Sequence, residues 1–299
     1  MNGKKIGLFL GVALFAMMLI IPVPEGLSLA AWRVAAITVL MAVWWITEAI
    51  PIPATALLPI ILYPLLGVMK AKDATAGYAD EVIYLFMGGF FLAVTMERWN
   101  LHKRIALYII KLVGASPSKM VLGFMAATAL LSMWISNTAT AVMMVPIGIA
   151  VVSQITGLTK AEVHDGAVGR KYETNFAKSL MLGVAYSASV GGVATIIGTP
   201  PNAIMKGMLK SLYGLEIGFA QWMLFGVPLS LTMFFIVWFL LTKVLFRTGD
   251  LKLAGSRELI EEEIEQLGHM TKPEKLVLAI GGTMAFLWIF RVLLTKYIP

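Results

Sequence analysis

Long apolar segments, each followed by a short polar one, alternate along the whole chain. The apolar runs cover residues 6–22, 30–47, 54–68, 82–96, 117–153, 176–195, 219–245 and 276–294. Most are long enough for a helix, which rises about 1.5 Å per residue, to cross a hydrocarbon core of about 30 Å. Their apolar residues are continuous rather than alternating, which favours helices over barrel strands. The pattern predicts an all-α polytopic membrane protein.

The composition agrees with this prediction. The 299 residues are 59% hydrophobic and 14% charged, and the mean hydropathy is +0.84, whereas soluble domains contain about 25% charged residues. The sequence has no cysteine, which excludes disulfides, thiolate metal sites and cysteine nucleophiles. The net charge of +7 could suggest a nucleic-acid partner, but in a membrane protein it reflects where the basic residues lie. We expect no nucleic-acid partner.

The distribution of Lys and Arg predicts the orientation of the chain. With a cytoplasmic N-terminus, most of the 24 basic residues fall in cytoplasmic segments; those left outside are Arg33, Lys70, Lys72, Lys206, Lys210, Arg291 and Lys296. Basic residues favour the cytoplasmic side. The first apolar run could pass for a signal peptide, but Ile21-Pro22-Val23-Pro24 is a poor cleavage site. We therefore expect a multi-pass protein of the plasma membrane with a cytoplasmic N-terminus.

The run from Pro117 to Ser153 contains a polar break without charge, Gly or Pro, Ser136-Asn137-Thr138. Short polar side chains can cap a helix, so we expect Asn137 or Thr138 to be the N-cap of the second helix. A re-entrant hairpin would expose unwound backbone and a positive helix end to a ligand. Two full spans joined by a tight turn fit these residues equally well.

A second break follows the run 176–195, at Gly198-Thr199-Pro200-Pro201-Asn202. Two prolines are expected to end the preceding helix and to push Thr199 towards extended geometry. The freed carbonyls need a cation, water or neighbouring protein as partners. A phosphate-binding loop is excluded because no Gly-Lys-Ser/Thr follows.

Other polar features suggest structure rather than chemistry. Residues 54–68 should be irregular because prolines interrupt them, and 248–275 should be a solvated cytoplasmic helix and linker. The segment Leu101–Val113 predicts an amphipathic surface helix with an apolar face formed by Leu101, Ile105, Tyr108, Ile109 and Leu112. Glu48 and Glu97, at span ends, are more often solvated than ligands. His164 and Asp165 make a weak metal site, which we discount.

No set of residues suits an enzyme or a nucleotide-driven pump. The three histidines, His102, His164 and His269, all fall outside the predicted spans, and no acidic pair lies within one. Nucleotide-binding motifs are absent from the sequence. Neutral oxygens at two broken helices suit a weakly held sodium ion, and helix N-termini suit an oxyanion. We expect cation-coupled uptake of an anion, with no cofactor besides the coupling ion.

Three motifs together resemble the divalent anion:sodium symporter family, whose members carry dicarboxylates, citrate or sulfate. They are Trp45-Ile46-Thr47-Glu48-Ala49-Ile50-Pro51, Ser136-Asn137-Thr138 and Gly198-Thr199-Pro200-Pro201-Asn202. The resemblance implies an inverted-repeat fold, a re-entrant hairpin at 117–153 and an elevator-type homodimer. It implies sodium-coupled symport of a di- or tricarboxylate such as succinate or citrate. The partners would be sodium ions, a small anion and the lipid membrane.

The resemblance also implies roles for single residues. Ser132, Ser136, Asn137 and the backbone near Gly198 would hold sodium. The substrate would meet Asn137, Thr138, Thr199 and Pro200. Leu101–Val113 would be the arm along which a transport domain slides.

One departure from the family pattern is that Ser-Asn-Thr occurs once here, whereas family members carry a second such hairpin. We expect the chain to be a fragment or one part of an assembly, with scaffold spans in 1–80, a scaffold span and arm in 81–116, a transport portion in 117–215, a span and linker in 216–275, and the first span of a second repeat in 276–299. The alternatives are a proton- or arsenite-linked permease of related architecture, or a non-transporting membrane scaffold.

Overall fold

Helices account for all the long regular elements in the computed structural model, which describes residues 3–114, 116–156, 171–247 and 256–297. They are α1 Gly3–Ile20, α2 Leu29–Thr47, α3 Ile52–Ala56, α4 Leu58–Leu65, α5 Ala71–Ala76, α6 Glu81–Arg98, α7 Leu101–Val113, α8 Pro117–Ser132, α9 Asn137–Thr156, α10 Lys171–Val193, α11 Pro200–Tyr213, α12 Phe219–Phe239, α13 Ser256–Gln266 and α14 Lys272–Tyr297. A π-helical turn, Leu240–Leu245, continues α12. The predicted all-α class is confirmed for these residues.

Six helical stretches in the described part of the chain are long and apolar enough to cross a membrane. They are Gly3–Ile20, Leu29–Thr47, Ala71–Arg98, Asn137–Gln154, Phe219–Leu245 and Lys272–Arg291. Ile52–Leu65 and Pro117–Ser132 are shorter apolar stretches. The chain is a multi-pass membrane protein. With 16 residues, α8 rises about 24 Å, which is less than a full hydrocarbon core of about 30 Å.

The chain divides into two compact units, Met1–Tyr84 and Leu85–Pro299. In the first unit α1 and α2 pack as an antiparallel pair, because Gly7 lies against Thr47 and Gly11 against Trp44. Glycines one turn apart let two helix backbones approach closely in a membrane. The finer division into five segments stays a prediction.

Glu48 lies at the end of α2, where its side chain is exposed. Its carboxylate is 3.2 Å from Lys4 Nζ, and both side chains are about 60% exposed to solvent. An exposed ion pair contributes at most about 1 kcal/mol to stability. Glu48 is therefore a solvated residue at a helix end, which was the favoured interpretation.

The proline-rich third run folds as two short helices, α3 with 5 residues and α4 with 8. Proline lies in the first turn of each, where a missing N–H costs little, and Pro64 lies inside α4. The hydroxyl of Tyr78 donates to the carbonyl of Ala56 at 2.6 Å and holds this segment in the first unit. The run is interrupted at Leu57, as its prolines predict, but the two parts on either side are regular helices rather than irregular chain.

The core of the second unit is built around α8, which packs against α10 in parallel. The residue numbers of the contacting pairs increase in the same direction along both helices. Met125 contacts Gly183, Ala129 contacts Gly191, and Met133 contacts Thr195 just beyond the two helices. In contrast, α9 runs antiparallel to α10, since Asn137 meets Gly192 and Gly148 meets Met181. It follows that α8 and α9 are antiparallel to each other. The segment 117–156 is thus a helical hairpin with its tip at 133–136.

Helix α7 is more buried than the amphipathic surface helix that the sequence predicts. Its buried residues are Leu101, His102, Arg104, Ala106, Leu107 and Ile110. From the predicted apolar face, Tyr108 is 52% and Leu112 88% exposed. The reason is that α8 and α13 pack on α7; at Gly123, α8 comes so close that an added Cβ would lie 3.1 Å from Ile110 Cα.

Helix α13 was expected to be solvated, and that expectation is wrong for one of its faces. Ile260 is 2% exposed and belongs to the core of the second unit. Glu263 lies 2.6 Å from Lys103 Nζ, and Glu261 lies 3.1 Å from Lys111 Nζ. The acidic helix therefore lies along α7 and neutralises two of its lysines.

Arg104 connects α7 to the start of α14 through buried contacts. Its Nε donates to Glu274 Oε1 at 2.7 Å, and Nη1 and Nη2 donate to the carbonyls of Gly268 and Leu267 at 2.9 and 3.1 Å. Glu274 also accepts from Thr271 N at 2.7 Å in a capping box that begins α14. The hydrogen bond to Glu274 raises the pKa of Arg104 above its ordinary value, so this arginine stays charged.

Two other predictions concern the start of the last helix and a pair of polar residues. The last helix begins at Lys272, four residues before the predicted span start at Leu276, because Thr271 and Glu274 cap it. His164 and Asp165 lie outside the described residues.

Candidate functional site

The tip of the hairpin is a tight turn capped by a serine. Ile135 N donates to Leu131 O at 2.9 Å as α8 ends, and Ser136 Oγ accepts from Ala139 N at 3.3 Å as α9 begins. Ser136 is therefore the N-cap of α9, and Asn137 and Thr138 occupy its first two helical positions. The prediction of Asn137 or Thr138 as N-cap is wrong, because the helix begins one residue earlier and the Ser136 hydroxyl accepts from Ala139 N. This frees the Asn137 side chain for other contacts.

The side chain of Asn137 points into a cluster of oxygens contributed by three segments. One end of its amide lies 2.7 Å from Ser132 Oγ, 3.0 Å from Ala188 O and 3.3 Å from Gly198 O. Ser132 Oγ in turn donates to Ala188 O at 2.6 Å. Gly192 leaves the space for this amide, since an added Cβ would come within 2.5 Å of it. Ser132 is fully buried and Gly198 is buried.

The chemistry of this cluster depends on which end of the amide faces the oxygens. With the nitrogen inward, all three oxygens lie within hydrogen-bond distance of it, and its two N–H groups can donate to two of them at a time. With the oxygen inward, four neutral oxygens meet with no donor except the Ser132 hydroxyl, and a hard cation would relieve their repulsion. Neutral amide, hydroxyl and carbonyl oxygens are ligands that suit sodium better than a transition metal.

The unwound segment between α10 and α11 is held by its own side chains and by α12. Asn202 Nδ2 donates to Gly192 O at 2.9 Å and to Thr195 O at 2.7 Å. Trp222 Nε1 donates to Val193 O at 3.0 Å. Neighbouring protein thus satisfies these three freed carbonyls, whereas Gly198 O points to Asn137.

Thr195 joins the unwound segment to the hairpin tip. Its hydroxyl donates to Met133 O at 2.5 Å and accepts from Gly198 N at 3.0 Å. Thr195 is fully buried. This contact sets the position of the Gly198 carbonyl relative to Asn137.

Gly191 is the point where α10 touches the backbone of α8. A Cβ at this position would lie 2.6 Å from Ala129 Cα and 2.7 Å from its carbonyl carbon, and backbone cannot yield as a flexible side chain does. We expect Gly191→Ala to destabilise the protein by about 1–3 kcal/mol and to lower the midpoint of thermal unfolding followed by tryptophan fluorescence. Gly207→Ala in α11, where no atom lies within 4 Å, is the matched control; an equal effect of both changes would contradict this packing.

The residues predicted to meet the substrate lie around two helix N-termini. Thr138 is exposed in the first turn of α9, and Pro200 is exposed at the start of α11. Thr199 is half-buried, has extended geometry with φ −150° and ψ 142°, and makes no side-chain cap hydrogen bond. Because Asn137 approaches Gly198, the two positive helix ends lie near each other, an arrangement that favours an anion.

The prolines of this break have a different role from the predicted one. They occupy the first positions of α11, and the preceding helix α10 already ends at Val193. Proline is favoured at the first helical position because its missing N–H would have no partner there. Pro200 and Pro201 therefore begin a helix and do not end one.

The predicted sodium-site residues are thus partly brought together. Asn137 contacts both Ser132 and Gly198 directly. Ser136 is next to Asn137 in sequence, but its hydroxyl caps α9. The carbonyl of Ala188 and the positioning contacts of Thr195 and Asn202 were not predicted from the sequence. A backbone carbonyl within an apolar helix carries no sequence signal, whereas the buried polar pair Thr195 and Asn202, flanking the break, could have been singled out.

A cavity of about 410 Å³ borders the other face of the hairpin tip. Glu97, Asn100, His102, Ile135 and Thr140 are among its lining residues. His102 is 6% exposed, and its Nδ1 lies 2.9 Å from Met96 O, so it is a packed residue of this unit. Among the residues described, no group of three His, Cys, Asp or Glu side chains could hold a metal ion.

Comparison with known proteins agrees with the resemblance. Residues 2–295 match the family model described as the sodium:sulfate symporter transmembrane region. The chain is 42% identical over 295 residues to the sodium-dependent dicarboxylate transporter SdcS of Staphylococcus saprophyticus, covering 99% of this chain and 56% of that protein. It is 45% identical to the protein of the same name from Staphylococcus aureus strain USA300, covering 98% of this chain and 56% of the relative.

The chain spans about half the length of the curated relatives it matches. Both relatives are transporters rather than enzymes, and the family match covers nearly the whole chain. These matches, together with the hairpin and the unwound segment, show that the chain belongs to the divalent anion:sodium symporter family.

Proposed function

We propose that this protein takes part in sodium-coupled symport of a di- or tricarboxylate such as succinate or citrate. The observation that carries the proposal is the convergence of Ser132 Oγ, Ala188 O and Gly198 O on the Asn137 amide. The names of the relatives, which are sodium-dependent dicarboxylate transporters, support the same substrate class. The family description names sulfate, which makes sulfate the first competitor to test.

The sodium ion would be held by Ser132, Ser136, Asn137 and the carbonyl of Gly198. The ligands that meet directly are neutral oxygens, so the ion would be bound weakly enough to be released in each cycle. Binding would require the Asn137 amide to present its oxygen, with the nitrogen turned away. The empty site would close again when the N–H groups of the amide donate to the surrounding oxygens.

The substrate carboxylate would lie at Asn137, Thr138, Thr199 and Pro200, between the N-termini of α9 and α11. Asn137 would belong to both sites, because it lies in the first turn of α9 and its side chain enters the oxygen cluster. A sodium ion there would add positive charge beside the two helix ends and so raise the affinity for the anion. By linkage, the anion would raise the affinity for sodium by the same factor.

The larger-scale features belong to the same proposal. The hairpin α8–α9 would be re-entrant, and α7 would be the arm along which the transport domain slides. The working protein would be an elevator-type homodimer with an inverted-repeat fold in each subunit. The short rise of α8 and the packing of α7 on α8 support this arrangement.

The proposal is tested by uptake of radioactive succinate into vesicles that contain the protein. We expect uptake with an inward sodium gradient and none when potassium replaces sodium, and we expect citrate or sulfate to compete if either shares the site. Uptake that proceeds equally in potassium would rule out sodium coupling. A proton gradient that drives uptake alone, or competition by arsenite, would favour the permease alternative.

A scaffold function is the second candidate, and one observation favours it. With its nitrogen inward, Asn137 can donate its two N–H groups to Ala188 O and Gly198 O and so hold the hairpin to α10 and to the unwound segment. Such interhelical hydrogen bonds contribute about 0.6–2 kcal/mol each. On this alternative, sodium would not change the thermal unfolding temperature of the purified chain.

A further inference from the structure

Side chains of α10 donate hydrogen bonds to backbone carbonyls at the end of α12 and just beyond it. After α12 the chain forms the π-helical turn Leu240–Leu245. Ser179 Oγ lies 3.2 Å from the carbonyls of both Leu241 and Phe246. Asn175 Nδ2 donates to Arg247 O at 3.0 Å. The residues that follow the span are therefore held in a defined place beside α10.

Three basic residues, Lys178, Lys243 and Arg247, lie on the two segments that these contacts bring together, and we call them the basic cluster. Asn175, Lys178 and Ser179 lie three and four residues apart and so share the face of α10 that meets the turn. Arg247 Nε donates to Lys243 O at 3.0 Å, which keeps these two residues together.

The basic cluster has no acidic counterpart in the described part of the chain. All three side chains are exposed, and none forms an ion pair with a described residue. Elsewhere in the same unit Lys103 and Lys111 each have a glutamate partner. Like charges held together without a partner repel one another, and a bound anion would relieve that repulsion.

The surface next to the basic cluster is apolar. Leu240, Val244 and Leu245 are 41%, 50% and 62% exposed. The candidate span Phe219–Leu245 ends here, so the cluster lies at a membrane boundary. Trp238 Nε1 donates to Ser118 O at 3.0 Å, and tryptophan favours the headgroup level.

We propose that the basic cluster binds the phosphate of an anionic phospholipid, whose acyl chains lie along Leu240, Val244 and Leu245. Charge complementarity selects the phosphate, and the exposed apolar residues at a span end select a lipid over free phosphate. Basic residues between spans are a recognised type of site for anionic headgroups. The inference goes beyond the proposed transport function, since it needs neither sodium nor a dicarboxylate.

The test measures lipid binding to the purified 299-residue chain in detergent by native mass spectrometry. The probe is dioleoyl phosphatidylglycerol, and dioleoyl phosphatidylcholine, with the same acyl chains, is the zwitterionic comparison. Each basic residue near a membrane surface contributes roughly fivefold to anionic lipid affinity, so Lys178→Gln/Lys243→Gln/Arg247→Gln should bind phosphatidylglycerol about a hundredfold more weakly. Lys275→Gln, an exposed lysine of α14, is the matched control and should bind as the parent does.

Two further arms separate charge from folding and lipid from free anion. Lys178→Arg/Lys243→Arg/Arg247→Lys keeps the charges and should keep the binding even if the glutamine variant fails to fold. Equal binding of the two lipids, or loss of binding in the charge-conserving variant, would overturn the proposal. Displacement of phosphatidylglycerol by millimolar inorganic phosphate would also overturn it, since the site would then be one for a free anion. No sodium or dicarboxylate is present, so the outcome does not depend on transport.

Discussion

We expect sodium chloride to raise the unfolding temperature of the purified protein relative to potassium chloride, and Asn137→Ala to remove this difference. The expected result follows from linkage, because a ligand that binds only the folded state at a hundred times its dissociation constant stabilises it by about 2.7 kcal/mol. Alanine cannot supply an oxygen to the cluster of Ser132, Ala188 and Gly198. The measurement is a thermal melt followed by tryptophan fluorescence at constant ionic strength.

A second substitution at Asn137 distinguishes a cation ligand from a structural amide. In Asn137→Asp a carboxylate faces the same three oxygens and can no longer donate to them, so the variant should be less stable than the parent in potassium. Sodium should then restore much of that stability, because the carboxylate is a stronger cation ligand than the amide. Asn100→Asp, at an exposed position, controls for the added charge. Equal instability of Asn137→Asp in both salts would support the scaffold alternative instead.

Arg104→Ala is expected to cause the largest loss of stability. The guanidinium and the Glu274 carboxylate are 8% and 4% exposed, so removing the arginine leaves a buried carboxylate without its partner. It also leaves the carbonyls of Gly268 and Leu267 without donors. Breaking a buried ion pair on one side costs about 3–5 kcal/mol, which a thermal or denaturant melt of the purified chain would detect.

Two controls make the Arg104 result specific. Lys103→Ala removes a partly exposed pair with Glu263, whose side chains are 30% and 23% exposed, and should cost less than about 1 kcal/mol. The double variant Arg104→Met/Glu274→Gln removes both charges, keeps an acceptor for Thr271 N, and should be more stable than Arg104→Ala alone. If the double variant were less stable than the single one, the buried charge would not be the cause of the loss.

The helical class and the two breaks could be predicted from sequence because they depend on local patterns. A continuous apolar run predicts a span, and Ser136-Asn137-Thr138 and Gly198-Thr199-Pro200 interrupt such runs with residues that disfavour an unbroken helix. The identity of the N-cap was wrong by one residue, since Ser136, Asn137 and Thr138 can all cap a helix. Only the position of the Ser136 hydroxyl relative to Ala139 N decides between them.

Long-range packing could not be predicted in the same way. The buried face of α7 is decided by α8 and α13, and the pairing of Arg104 with Glu274 joins residues 170 positions apart. The oxygen of Ala188 enters the cluster because Gly191 and Gly192 let α10 approach the hairpin. A single sequence identifies the small residues but not the segments that pack against them.

The claim that the oxygens around Asn137 bind sodium is tested most directly by equilibrium binding of radioactive sodium to the purified 299-residue chain. We predict saturable binding that unlabelled sodium displaces and potassium does not, and that Asn137→Ala abolishes while Asn100→Asp leaves it unchanged. Saturable binding that persists in Asn137→Ala would place the ion elsewhere. Absence of saturable binding to the parent chain would contradict the claim.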